Sequence, residues 1–360
     1  MLHTELATLA RVLRDDIAPH SHSESAVLSD RPHARLIRYG TPEQLTAARA
    51  AGTVPVLLVP PLAVPARCYD LAPGSSPGNS VVEFLLAGGT IPYVIDFGPV
   101  TRAERRLGFE DYFDSFVPRA IRDVVDDFRG GGDAVDLLGW SLGGTLSLMT
   151  AANDPGLPIR SIMTVGTPLD YMKLPPYPLV RRILAPTGGR PANYVLAALA
   201  GIPAPLVQLV YRGFAWEREL KKPWYILKNL NDDEALARMQ VIDRFQRSLP
   251  GYPGKVAQQM LANFIVRAEL GTGVLRFDDL TVDLRSITAP VFMVGSHLDA
   301  IATHAAVAHG EQLFTASSHV EFHTVESSHL GMLTGAAAEQ HTWPAMAAFR
   351  ARLDAERLPS

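Results

Sequence analysis

The chain has 360 residues, 47% of them apolar and 19% charged, with a formal net charge of −4. A single core stops growing at about 250–300 residues, so this length implies one large domain carrying a separate lobe. The slight acidity and lack of a basic block argue against nucleic acid as a partner, and one cysteine, Cys68, excludes an intramolecular disulfide, which fits a reducing cytoplasm.

The chain opens MLHTELATLARVLRDD, without the basic-then-apolar layout of a secretion signal, so a cytoplasmic location is expected. Leu6 to Ile17 reads as an amphipathic helix and Ala34 to Tyr39 as a short strand. A repeated grammar then begins. Val54 to Val59 is an apolar run ending in Pro60-Pro61, which suits a strand buried on both faces. Val81 to Leu86 is helical in character, Ile91 to Phe97 strand-like, and Phe109 to Phe128 a long helix that Pro118 kinks or breaks. Ala134 to Leu138, Ile159 to Val165, Pro290 to Gly295 and Val320 to Val325 repeat the strand pattern, with helices between and after them. Strands alternating with helices predict an α/β class, with a mostly parallel sheet covered by helices on both faces.

From about Tyr171 to Asp283 the grammar fails. The stretch opens on Pro175, Pro176 and Pro178 and reads as helices without a core strand, hence as an inserted helical cap. The expected organisation is a lead-in at 1–53, a core at 54–170 and 284–360, and the cap at 171–283. Within the cap, Pro191 to Tyr211 has no acidic or basic residue, a length near the roughly 20 that span a bilayer. Gly201, Pro203 and Pro205 interrupt it, so two short apolar helices joined by a turn are expected.

The chemistry concentrates at Gly139-Trp140-Ser141-Leu142-Gly143. VDLLG supplies a strand, GWSLG a tight turn and GTLSLMTAA a helix, the setting of a nucleophile elbow. Gly139 and Gly143 stand where a sharp turn leaves no room for a Cβ. The N–H of Leu142, at the helix N-terminus, is one expected oxyanion donor. A serine hydroxyl needs a base and an orienting carboxylate, which in such folds follow in the order Ser, acid, His. Asp299, after the strand ending at Gly295, is the expected acid, with Asp170 in reserve, and His329, after the last strand, is the expected base. The second oxyanion donor falls in PPLAVPARCYDL; Pro60 and Pro61 lack an N–H, so Leu62 or Ala63 is the first available. Trp140, Trp224 and Tyr225 are the candidate substrate contacts. Cys68 has no elbow around it and reads as a packed residue. No HExxH, GxxxxGK[ST] or strand-following GxGxxG occurs, and Gly130-Gly131-Gly132 reads as a loop, so neither metal nor cofactor is expected.

Taken in order, LLVPPLAVPARCYDLAPGSS, VVEFLLAGGTIPYVIDFG, DLLGWSLGGTLSL with MTVGTPLDY, VDLRSITAPVFMVGSHLDAI and SSHLGML resemble the polyhydroxyalkanoate synthases, in particular their class III type. The likeness covers roughly residues 54 to 335, and WYILKNLNDDEALARMQVIDRF resembles the synthase cap, whose helices cover the active site. The resemblance implies an α/β-hydrolase fold with the nucleophile at Ser141, the acid at Asp299 and the base at His329. It also implies an acyl-CoA substrate and a partner subunit. The synthases carry cysteine in the elbow, whereas this chain has serine, which forms an oxyester downhill from a thioester. A serine hydrolase of lipid or hydroxyacyl esters and thioesters is therefore the first expectation. The alternatives are acyl transfer of the synthase kind and a non-catalytic lipid-associated protein with a relict site. Peripheral lipid or membrane contact through the cap, and association as a homodimer or with a partner subunit, complete the expectations.

Overall fold

The computed structural model describes residues 2–18, 21–75, 78–129, 133–214 and 216–357; the Gly130–Gly132 run lies outside them. Eight strands build the central sheet: β1 (Ser25–Ser29), β2 (Arg35–Tyr39), β3 (Val56–Val59), β4 (Pro92–Asp96), β5 (Val135–Trp140), β6 (Ile159–Val165), β7 (Val291–Gly295) and β8 (Val320–Thr324). Their spatial order is β1-β2-β4-β3-β5-β6-β7-β8. The β1–β2 and β2–β4 pairs are antiparallel and all later pairs parallel.

Every residue of β3 and β5 is buried, as a strand covered on both faces requires. Alternation then sorts side chains between two cores. Leu57, Val59 and Leu137 pack with Phe109 and Phe113 and with Ile121 of helix α4 (Val117–Phe128), while Val56, Leu58 and Leu138 pack with Val81 and Val82 of α3 (Val81–Ala87) and Phe349 of the last helix. The expected break at Pro118 takes the form of a π-helical turn at Asp111–Phe116, which places Pro118 in the first turn of α4, where a missing N–H is least costly. α1 (Leu2–Leu13) leads the chain, and α2 (Pro42–Ala50) has a weak apolar pattern but a capping box, Thr41 to Gln44, that starts it.

Between β6 and β7 the chain leaves the sheet for α6 (Tyr177–Leu184), α7 (Arg190–Leu199), α8 (Ala204–Phe214), α9 (Trp216–Lys228), α10 (Asp233–Arg247) and α11 (Gly254–Gln259). The uncharged stretch folds as α7 and α8, separated by a short strand at Gly201–Ile202 that pairs with Tyr252–Pro253. No described helix is long and apolar enough to cross a membrane. One expectation needs correcting, because the segment is not wholly helical. Val274–Phe277 and Leu280–Asp283 form a hairpin, and its inward Leu275, Phe277 and Val282 join the core of the sheet. Period-two alternation on either side of Asp278-Asp279 is the signal that the helical reading overlooks. The lead-in is tied to this segment: Gln240 Oε1 accepts the N–H groups of Ile17 and Ala18, and Arg11 pairs with Asp233 at 2.7 Å.

At the edge where the strands begin, Asp136 of β5 is fully buried and meets two guanidinium groups, Arg160 at 2.5 Å and Arg350 at 2.8 Å. Arg350 belongs to α12 (Trp343–Arg357) and also donates to Thr90 Oγ1 and the Val54 carbonyl, so one side chain seats the last helix under the sheet. Burial alone pushes the Asp136 carboxyl pKa up, but hydrogen bonds and charges from Arg160 and Arg350 outweigh it and leave a net depression. Removing the carboxylate strands two arginines. Asp136→Ala is expected to lower the unfolding free energy by about 3–5 kcal/mol in urea titrations at pH 7. A depressed carboxyl contributes stability that is present above its unfolded pKa, about 3.9, and is lost as pH falls through its folded value. The difference between wild type and variant should therefore shrink only on acidification below about pH 4.

Candidate active site

The sheet reverses direction of growth at β3: β4 is added on one side and β5 on the other. A crevice opens beyond the carboxyl ends of the strands at such a switch point, and the three residues expected to carry the chemistry all follow those ends. Ser141 follows β5, Asp299 follows β7 and His329 follows β8.

Ser141 has φ 52° and ψ −124°, a conformation that L-residues avoid and that the surroundings must impose. They impose it by contact. A Cβ on Gly139 would lie 2.4 Å from Gly144 Cα, and one on Gly143 would lie 2.0 Å from the Val59 carbonyl oxygen. A Cβ on Gly144, a position whose need for glycine escapes sequence reading, would lie 2.1 Å from Thr167 Oγ1. That hydroxyl donates to the Ser141 carbonyl at 2.9 Å, while the Ser141 N–H donates to Val165 at 2.8 Å. The serine is thus clamped between β3, β6 and its own helix, α5 (Leu142–Asn153).

The histidine and its acid are in direct contact. His329 Nδ1 lies 2.6 Å from Asp299 Oδ2, and both residues are buried. The other carboxylate oxygen of Asp299 accepts the N–H groups of Ile301 at 2.7 Å and Ala302 at 3.0 Å, which fixes the carboxylate plane. With a carboxylate on Nδ1, that nitrogen carries the proton and Nε2 is left as an acceptor. Nε2 is buried and has no hydrogen-bond partner among the described residues. The reserve acid, Asp170, is occupied elsewhere, capping the turn at Tyr171–Lys173 through the Met172 N–H.

Three positioning contacts lie outside the sequence expectations. Ser296 Oγ donates to the Ser327 carbonyl at 2.7 Å and accepts the Ser327 N–H at 3.1 Å, clipping the Asp299 loop to the His329 loop. Gly166, at φ +58°, leaves room for the imidazole, since a Cβ there would approach His329 Cε1 to 3.0 Å. The buried Tyr69 hydroxyl donates to the Val59 carbonyl at 2.7 Å and accepts the Trp140 N–H at 3.0 Å, joining the ends of β3 and β5. A lone tyrosine in an apolar loop after a buried strand is the available signal, because a buried phenol needs a partner.

The loop after β3, expected to supply the second oxyanion donor, runs beside the elbow, with Val59 and Pro60 against Gly143. Leu62, Ala63 and Leu142 are buried, and none of their N–H groups has a protein acceptor among the described residues. The candidate substrate contacts fare differently. Trp140 is 2% exposed, lies tilted against the His329 ring with centroids 5.3 Å apart and donates Nε1–H to the His329 carbonyl, so it steadies the histidine loop and has almost no surface to offer. Trp224 is 72% exposed and Tyr225 spends its hydroxyl on the Ala235 carbonyl; no hydrogen bond or ring contact joins either to Ser141, Asp299 or His329. Phe245 of α10 instead reaches the site, 6.2 Å from the Trp140 ring. His297 is exposed and stacks on His304, and Cys68 is buried with its thiol pKa pushed up by burial, which leaves it inert.

Tyr69→Phe leaves the buried Trp140 N–H without an acceptor and is expected to cost about 1–3 kcal/mol in denaturant unfolding. Gly166→Ala is expected to leave folding measurable while slowing reaction of Ser141 with a fluorophosphonate, read by intact mass.

No family model matches the chain. Curated relatives do. It is 25% identical over 312 residues to the poly(3-hydroxyalkanoate) polymerase subunit PhaC of Allochromatium vinosum, covering 86% of this chain and 83% of that protein. The subunit of the same name from Haloferax mediterranei is 24% identical over 307 residues, with 81% and 58% covered, and that from Synechocystis sp. is 25% identical over 306, with 82% and 76% covered. Among solved structures, mouse alpha/beta hydrolase domain-containing protein 10 superposes with a TM-score of 0.51 at 12% identity, covering 92% of this chain and all of that one. A lipase-esterase related protein from Clostridium acetobutylicum gives 0.50 at 12% identity, with 88% and 99% covered. The chain is therefore an enzyme of the α/β-hydrolase fold, a hydrolase or acyltransferase, that resembles the polyhydroxyalkanoate synthases.

Proposed function

We propose that this enzyme is a serine hydrolase acting on acyl esters or thioesters of lipid or hydroxyacyl type through an acyl-Ser141 intermediate. The observation that carries the reading is the buried His329–Asp299 contact at 2.6 Å with an Nε2 that has no partner among the described residues, beyond the same strand edge as a serine held at φ 52°. Ser141 Oγ attacks the substrate carbonyl as its proton passes to His329 Nε2, and Asp299 stabilises the imidazolium. The N–H of Leu142, with that of Leu62 or Ala63, holds the oxyanion. The tetrahedral intermediate collapses as His329 returns the proton to the departing alcohol or thiol. Water then attacks the acyl-serine with His329 as base, releasing the acid and restoring Ser141. No cofactor enters these steps.

Acyl transfer is the second reading, supported by the relatives named as polymerase subunits. Phe245 and Leu249 of the inserted segment pack in the same cluster as Trp140, a cover that would keep water from the acyl-serine while an alcohol reacts. The two readings differ in the fate of the acyl group.

Purified protein is expected to release acid from p-nitrophenyl esters and acid plus CoA from hydroxyacyl-CoA, followed separately by chromatography. CoA release accompanied by polymer would replace hydrolysis with transfer. Ser141→Ala is expected to lower turnover by up to about 10⁶-fold, as for residues acting as a unit. If neither substrate turns over and a fluorophosphonate fails to label Ser141, the site is a relict.

A further inference from the structure

The exposed side chains of α6 to α9 differ from the rest of the molecule in two independent ways. Fifteen large apolar side chains are exposed among the described residues, and twelve of them lie between Leu179 and Leu227. They recur at helical spacing, as Leu179 and Ile183 on α6, Leu206 and Val210 on α8, and Leu220 and Trp224 on α9 show. No residue of α6 or α7 is fully buried; Val180, Leu184 and Leu196 pack partly buried against the main core, while Leu179, Ile183, Tyr194, Val195 and Leu199 stay exposed. Scattered exposed apolar residues need no explanation, whereas such a concentration marks an interaction surface.

The second difference is charge. Residues 177–228 hold eight Lys and Arg against two Glu, while the rest of the chain holds 25 against 35. Arg182, Arg190, Arg212 and Lys228 are exposed among the apolar positions. A second copy seated on it through its own α6 to α9 would bring the same cationic side chains and repel it. Aromatic and aliphatic side chains interleaved with cations match the headgroup layer of an anionic membrane, where tyrosine and tryptophan sit at the boundary and basic residues meet lipid phosphates.

We propose that the face formed by α6 to α9 docks on an anionic lipid bilayer, lying in the headgroup layer without crossing it. This inference is independent of the reaction at Ser141.

The test is sedimentation of the full-length protein with vesicles of phosphatidylcholine alone or with about 30% phosphatidylglycerol, at low and high salt. Anionic vesicles are expected to bind at least about tenfold more protein, and raising the salt should reverse most of that gain. A charge variant (Arg182→Glu, Arg190→Glu, Arg212→Glu) and an apolar variant (Leu179→Ser, Leu209→Ser, Trp224→Ser) should each lose about tenfold or more in binding. Their circular dichroism should stay unchanged, as exposed positions predict. If one variant unfolds, the salt dependence and the other variant still decide. Equal binding by wild type and both variants, or no binding at any composition, overturns the proposal. So does light scattering that finds an oligomer which the apolar variant dissociates and which does not bind vesicles, since a second copy would then own the face.

Discussion

Where Ser141 passes from β5 into α5, three stretches of backbone come closer than any Cβ permits. The Val59 carbonyl stands 2.0 Å from where a side chain on Gly143 would begin, and Gly144 stands 2.4 Å from the corresponding point on Gly139. Excluded volume, more than any attraction, therefore decides the shape of the turn and holds a non-glycine residue at φ 52°. The same crowding brings the loop after β3, with its N–H donors, against the helix that begins at Leu142. Loosen the turn by one methyl group and the conformation of Ser141, the N–H groups proposed as oxyanion donors and the close approach of β3 to α5 change together.

Around that constraint the remaining groups are placed by buried hydrogen bonds, each with a defined partner. Asp299 is aimed by two backbone N–H groups, its loop is clipped to that of His329 by Ser296, and His329 is flanked by Trp140 and Gly166. Buried polar groups resist displacement because breaking them strands a donor or acceptor away from water. Asp136 applies the same rule at the opposite edge, where its two arginines stabilise the end of the sheet away from the chemistry. A strained edge and a well-paired edge share one sheet, with local strain offset by pairing elsewhere.

Serine at an elbow whose resembling synthases are expected to carry cysteine sets the energetic character of the proposed intermediate. An oxyester forms downhill from a thioester and does not return its acyl group to a thiol as readily, which favours a final acceptor such as water or an alcohol. The inserted helices bear on this in two places. Phe245 approaches Trp140 on the inner side, and the outer side carries the exposed apolar and basic residues of α6 to α9.

Much of this was legible in the chain itself. Alternating apolar runs and helical stretches determine the α/β class, and the order of Ser141, Asp299 and His329 after three such runs determines which loops to bring together, because strand ends and turn glycines are local properties. The hairpin at 274–283 was equally local, but its alternation lies inside a stretch dominated by helices and is easily passed over. Only the tertiary structure decides what depends on distant segments meeting. It decides that Asp299 rather than Asp170 touches the histidine, that Trp140 serves the histidine loop and Trp224 faces outward, and that Tyr69, Thr167 and Ser296 hold the site. Burial and hydrogen-bond partners across ten to more than a hundred residues of chain are set by packing, and no pattern within a single window of sequence contains them.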